Sequence, residues 1–207
     1  LNQINIIAII IAIPLIVYSV ILHEISHGFV AYLMGDMTAK ASGRLSLNPV
    51  RHIDPFGTIL LPILSVLAFG FGFGYAKPVP IDPRNFRDAE TGMMFTGAAG
   101  PIANILIGTF LGLVVKFGLV TKGLFFQVFF LLVLANFLLA IFNLIPIPPL
   151  DGSRVLIHFL PARFKYFYYR LESFGFLLIF LLIFLAGNTF FGLLFKVLSP
   201  ILRFFGF

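Results

Sequence analysis

The sequence predicts an all-α polytopic membrane protein of about five to six transmembrane helices, with one re-entrant helix and β-strand element after the first helix. Three observations carry that prediction. Of the 207 residues, 60% are hydrophobic and 11% charged, where soluble domains carry roughly a quarter charged residues. The apolar residues fall into runs long enough to cross a bilayer. One run then changes to glycine at every second position, Phe69-Gly70-Phe71-Gly72-Phe73-Gly74-Tyr75.

The chain, 1–207, is expected to be a single membrane domain. No soluble stretch is long enough for an appended domain, and the N-terminal apolar run leads directly into chemically active residues, unlike a removable signal. The net charge of +6 would suggest nucleic acid in a soluble protein. Here it is explained by cytoplasmic loops facing anionic lipid, and no nucleic-acid partner is expected. The 28 Phe, with no Trp, read as lipid-facing bulk.

Residues 3 to 34 read as one helix that Pro14 can kink. Inside it sit His23, Glu24 and His27. Two histidines four apart lie about 40° from each other around a helix, so both imidazoles can reach one metal ion. Glu24, beside the first, can activate water at that metal. Such a five-residue pattern also occurs by chance. Two His and a Glu within an apolar run, however, cost free energy unless they pair, line a cavity or bind an ion. The chain has no Cys, so disulfides and thiolate ligands are excluded, and a metal must sit on His, carboxylate or backbone oxygen.

From Gly35 to Asp54 the chain is polar, and residues 41 to 47 alternate as a short strand would. Asn48-Pro49 and Asp54-Pro55 mark turns. His52 is a rival third ligand by its place in sequence, or a hydrogen-bonded interfacial histidine. Residues 57 to 68 are apolar. The Phe-Gly repeat that follows is poor helix material, each glycine costing roughly 1 kcal/mol against Ala. Its period of two suggests extended chain with bare backbone at Gly70, Gly72 and Gly74. A glycine-rich helix packed on a neighbour is the alternative.

Lys77 to Glu90 reads as a loop, and residues 92 to 115 as a helix opening with Gly97-Ala98-Ala99-Gly100-Pro101-Ile102-Ala103-Asn104. Small residues allow close helix contact, and a buried Asn104 needs a partner. A further helix, 124 to 145, runs into Asn143-Leu144-Ile145-Pro146-Ile147-Pro148-Pro149-Leu150-Asp151-Gly152. The prolines stop the helix and free carbonyls, which a membrane protein tolerates where backbone is buried or lines a cavity. Asp151 alone would read as a cap or surface residue. Beside His23 and His27 it supplies a third protein ligand and leaves the fourth position open. Residues 153 to 170, with four Lys or Arg and three Tyr, look interfacial, and His158 is placed with them. Two apolar segments, 171 to 186 and 190 to 205, are expected to be joined by a tight turn at Gly187-Asn188-Thr189.

Together, His23-Glu24-Ile25-Ser26-His27 and the Asn143 to Gly152 stretch resemble the site-2 protease family of intramembrane zinc metalloproteases, peptidase family M50. Gly100-Pro101-Ile102-Ala103-Asn104 is similar to the stretch between those motifs. The resemblance covers roughly residues 15 to 160 and implies a compact member without PDZ or CBS domains. It implies a metalloendopeptidase with one Zn2+ on His23, His27 and Asp151, Glu24 as its catalytic acid–base, and membrane-anchored substrates of regulated intramembrane proteolysis. Asn143 or Asn104 is a candidate for substrate or oxyanion contact, each with a helix-packing hydrogen bond as the alternative. An extended Phe69–Tyr75 would offer a strand edge to an unwound substrate.

Topology follows from a parity argument. Both ligand motifs lie at C-terminal helix ends, so their helices must run the same way, with an odd number of crossings between them. Residues 57 to 75 must therefore turn back; twelve helical residues cover about 18 Å of a core of roughly 30 Å. Re-entry also gathers ten basic residues from Lys40 to Arg170 on one face and leaves Lys116 and Lys122 on the other. That places the site nearer the cytoplasmic side of a multi-pass protein of the prokaryotic cell membrane. The competing class is a membrane metal-binding scaffold or transporter, since broken helices and intramembrane carboxylates occur there too.

Overall fold

The computed structural model describes residues 4–61, 63, 64, 67 and 76–207. Its long helices are α1 (Ile6–Leu33), α2 (Ala89–Lys116), α3 (Gly123–Asn143) and α6 (Gly175–Phe205), with two shorter ones, α4 (Asp151–Phe159) and α5 (Ala162–Glu172), between the last pair. The first three are long and apolar enough to cross a membrane. Many of their large side chains, among them Ile10, Phe110 and Phe125, face outward.

Local chemistry sets the helix ends. Asn5 caps α1 by accepting the Ile7 amide at 2.9 Å. At the other end Gly35, with φ +114°, lets the amides of Gly35 and Asp36 turn back to the carbonyls of Tyr32 and Ala31. This glycine turn satisfies carbonyls the helix would otherwise leave open. Asp88 caps α2 through the amides of Glu90 and Thr91.

The helix directions follow from their contacts. Ala8 and Ala12 of α1 pack on Val128 and Leu132 of α3, and Ser19 meets Asn136 further along. Positions thus rise together, and α1 and α3 run parallel. On α2 the order reverses, with His23 meeting Asn104 and His27 meeting Thr96. The α2 helix runs between its two neighbours in the opposite sense, as the parity argument requires. It approaches α1, α3 and α6 closely because it carries glycine at the crossings. A Cβ on Gly108 would lie 3.0 Å from the Phe137 ring, and one on Gly112 would lie 2.5 Å from the Phe205 ring.

Two expectations are corrected. The apolar segments 171 to 186 and 190 to 205 are a single helix, α6, which runs through Gly187-Asn188-Thr189 without a turn. In an apolar run a continuing helix pairs every backbone group that a turn would leave open. Residues 41 to 47 form no strand. One helical turn, Thr38–Ala41, leads into irregular chain, since no neighbouring strand is present among the described residues to satisfy an edge. The predicted short helix at 57 to 68 opens as a π-helical turn, Pro55–Leu60, capped by Asp54. The Phe69–Tyr75 repeat, with Gly70, Gly72 and Gly74, lies outside the described residues.

Candidate metal centre

His23 and His27 lie on the last turns of α1, facing α2. Asp151 is the first residue of α4, reached from α3 through the Leu144–Leu150 loop. Gly152 makes that approach possible, because a Cβ there would lie 2.1 Å from the Leu144 carbonyl oxygen. Gly97 brings α2 against the same turn, with Asp151 O only 3.1 Å from where its Cβ would stand. On the far side Tyr168 of α5 donates to the Pro146 carbonyl at 2.7 Å, and Lys165 pairs with Glu90 at the start of α2.

These elements bring three donor atoms together. His23 Nε2 and His27 Nε2 are 3.0 Å apart, and each lies 3.2 Å from Asp151 Oδ2. The two rings meet at 84°, which turns both Nε2 edges toward the same point. The other ring nitrogens are engaged: His23 Nδ1–H donates to Asn104 Oδ1 at 2.9 Å, and His27 Nδ1–H to the Thr96 carbonyl at 2.6 Å. A carbonyl can only accept, so the His27 proton sits on Nδ1 and its Nε2 presents a lone pair. Three potential ligand atoms thus converge in a buried place, an arrangement that a bound cation would neutralise.

The spacing suits zinc. Ligand atoms 2.0–2.1 Å from a tetrahedral zinc lie about 3.3 Å from one another, close to the three separations here. Gly100 leaves the room: a Cβ on it would stand 2.4 Å from His27 Nε2 and 2.6 Å from His23 Nε2. The outer hydrogen bonds to Asn104 and Thr96 fix the ring tautomers, as partners of metal-ligating histidines do.

Glu24 is adjacent and half-buried, its Oε2 accepting the Val79 amide at 3.0 Å. The remaining candidates separate. Asn104 is fully buried and bound to His23, which is the helix-to-helix hydrogen bond, made to one of the three candidate donors. Asn143 donates its Nδ2 back to Leu139 O at 3.0 Å. His52 is not part of the donor cluster; it is buried elsewhere and donates from Nε2 to Ser46 O at 2.7 Å.

Several contributors were not visible in the residue pattern. The Thr96 carbonyl and the Val79 amide are backbone groups, which carry no side-chain signature. Asp36 is a buried carboxylate that accepts from the amides of Thr38 and Asp82 and from the side chains of Thr38 and Asn85. It ties the end of α1 to the segment entering α2. Its one signal is an acid placed directly after the Gly35 helix stop.

Two histidines and a glutamate on a helix of membrane-crossing length, joined by a carboxylate at the start of a short one, have the make-up of a membrane metallohydrolase site. The model of peptidase family M50 matches residues 119–186, which include Asp151. YwhC of Bacillus subtilis, whose name offers it as a candidate zinc metalloprotease, is 38% identical over 179 residues, covering 83% of this chain and 78% of that protein. Rip2 of Mycolicibacterium smegmatis, similarly named, is 31% identical over 67% of this chain and 52% of its own length. MJ0392 of Methanocaldococcus jannaschii, named a zinc metalloprotease, is 29% identical over 73% of this chain and 35% of its own length. The chain thus spans most of YwhC but about half of Rip2. No solved structure matches it significantly. The chain belongs to peptidase family M50, the site-2 protease family, and is a zinc metalloprotease of membrane type.

Proposed function

We propose that this protein hydrolyses peptide bonds within or near transmembrane segments of membrane-anchored proteins. In this reading His23 Nε2, His27 Nε2 and the Asp151 carboxylate hold one zinc ion, and Glu24 carries the proton. The observation that supports it best is the convergence of three lone-pair donors at 3.0–3.2 Å, with the His27 proton held away on Nδ1. Bound zinc supplies a Lewis acid, which makes water nucleophilic near neutral pH and polarises a carbonyl. Glu24 takes a proton from the attacking water and returns it to the leaving amine as the peptide C–N bond breaks. Asn104 and Thr96 hold the imidazoles in the tautomer that leaves Nε2 free.

A substrate helix shields its peptide bonds, so the substrate must unwind locally. The Phe69–Tyr75 stretch is proposed as the strand edge that holds it extended. Re-entry of residues 57 to 75 is supported by the Lys77 amide, which donates to the His52 carbonyl at 2.9 Å and so holds the chain on either side of that segment together. The basic residues Lys40, Arg44, Arg51, Lys77, Arg84 and Arg87 then share the face nearest the site, which under the positive-inside rule is cytoplasmic in a prokaryotic cell membrane.

The test is zinc content and cleavage of a model transmembrane substrate in detergent, for wild type and Glu24→Gln. About one zinc per chain in both, with cleavage only by wild type, is the expected result. Zinc in both and cleavage by neither, over several substrates, would move the scaffold or transporter class ahead.

A further inference from the structure

Residues 77 to 82, Lys-Pro-Val-Pro-Ile-Asp, cross the end of α1 as an extended strap without regular structure. Proline has no amide hydrogen and restricts the residue before it to extended backbone. With Pro78 and Pro80 on either side, the strap offers one donor between Lys77 and Ile81, the amide of Val79. That donor goes to Glu24 Oε2 at 3.0 Å.

The strap is anchored along its whole length. The Lys77 amide donates to the His52 carbonyl at 2.9 Å. The Arg44 guanidinium donates from Nη2 to the Lys77 carbonyl at 2.7 Å and reaches the Pro78 carbonyl at 3.3 Å. The Asp82 amide donates to Asp36 Oδ2 at 2.8 Å. The buried Val79 side chain rests on Gly28, next to His27, where a Cβ would meet its Cγ1 at 2.8 Å. A segment needed only to connect two helices would not require an anchor on each side of a single buried amide.

We infer that Val79 is a positioning residue for Glu24, its amide fixing one carboxylate oxygen, and that Arg44 clamps the strap that carries it. With Oε2 engaged, Oε1 is the oxygen left to accept the proton, and the carboxylate cannot swing away from the metal centre. This inference rests on the reading of Glu24 as the proton carrier. Misplacing a general base by a fraction of its hydrogen-bond reach lowers the chemical step while leaving substrate binding intact.

The experiment measures kcat, KM and zinc content on a model transmembrane substrate for wild type, Glu24→Gln, Val79→Pro, Val79→Ala and Arg44→Gln. Val79→Pro removes the donor, whereas Val79→Ala keeps it and removes only side-chain packing. The expected result is a fall in kcat of about tenfold or more for Val79→Pro, with KM within about twofold and zinc retained. Arg44→Gln is expected to show a smaller fall of the same kind, and Val79→Ala to lose less than Val79→Pro. If Val79→Pro loses zinc or does not purify as a folded protein, a backbone ester at Val79, which removes the donor alone, takes its place. Wild-type kcat for the donor-less protein, beside an inactive Glu24→Gln, overturns the inference and leaves the protease reading standing. A raised KM at unchanged kcat also overturns it and makes the strap a substrate contact. An active Glu24→Gln overturns the role of Glu24 itself.

Discussion

The two halves of the α1–α2–α3 assembly are held together by different physics. Toward the N-terminus of α1, Ala8 and Ala12 meet Val128 and Leu132. Lipid tails are as apolar as these side chains, so close packing there gains dispersion energy and little from exclusion of water. Toward the C-terminus, the contacts are Ser19 with Asn136, His23 with Asn104, and His27 with the Thr96 carbonyl. Each is a buried polar pair whose loss leaves a partner unsatisfied in low dielectric. The apolar half sets how near the helices stand; the polar half sets which atoms face one another. Substitutions of similar size should therefore have unlike consequences at the two ends.

Gly100→Ala is the largest expected break. The added methyl would stand 2.4 Å from His27 Nε2, in the space on which the three donors converge. The expected outcome is loss of bound zinc and a fall in proteolysis of about 100-fold or more, with helix content unchanged. Metal analysis and circular dichroism on the purified variant check this. Retention of a full zinc equivalent would mean that α1 and α2 part more easily than their contacts indicate.

Asn104→Ala ranks next. It removes the acceptor from His23 Nδ1–H and leaves that proton buried without a partner. Loss of such an outer contact typically lowers metal affinity about 10–100-fold. Competition with a calibrated chelator measures the shift. Asn136→Ala, in the same polar half but bonded to Ser19 and to none of the three donors, is expected to change affinity by less than about threefold.

Much of this centre was legible because its chemistry resides in side chains at fixed spacing. His23 and His27 share a helix face by periodicity, and Asp151 stands just past a proline stop that ends α3. Parity then required the α1 and α3 directions that the structure has. The remainder depends on atoms that have no letter in the sequence. The Thr96 carbonyl and Val79 amide are backbone groups common to most residues, and only the fold selects them. The turn expected at Gly187-Asn188-Thr189 failed for a related reason: turn propensities are calibrated in water, where an unpaired amide can be solvated, whereas an apolar run keeps the helix going.

Asp36 gives a pH-dependent prediction of intermediate size. Burial, the largest single influence, pushes its carboxyl up. Hydrogen bonds from the Thr38 and Asn85 side chains and the Asp82 and Thr38 amides outweigh that and hold it below the usual carboxylate range. A carboxylate with a depressed folded-state pKa contributes stability fully above its unfolded value, about 4, and loses that contribution as pH falls through the folded value. Protection of the Asp82 amide from hydrogen exchange, corrected for intrinsic rates, should be flat from about pH 7 to 5 and fall only below about 4. A decline already complete by pH 5 would assign the strap's anchorage to some group other than Asp36.

The smallest effect belongs to the apolar half. Ala12 is buried against α3, with no polar group at the contact. Replacing it with Gly removes one methyl and adds backbone freedom, a cost of about 1 kcal/mol. If the two halves act separately, that loss shows in thermal unfolding, while zinc affinity and kcat stay within about twofold of wild type, because distant sites without shared partners add independently. A zinc affinity that falls along with stability would show that the distance between α1 and α3 near Ala12 is transmitted to Asp151. The division between spacing and orientation would then fail, and the donor geometry would have to be treated as a property of the whole three-helix assembly.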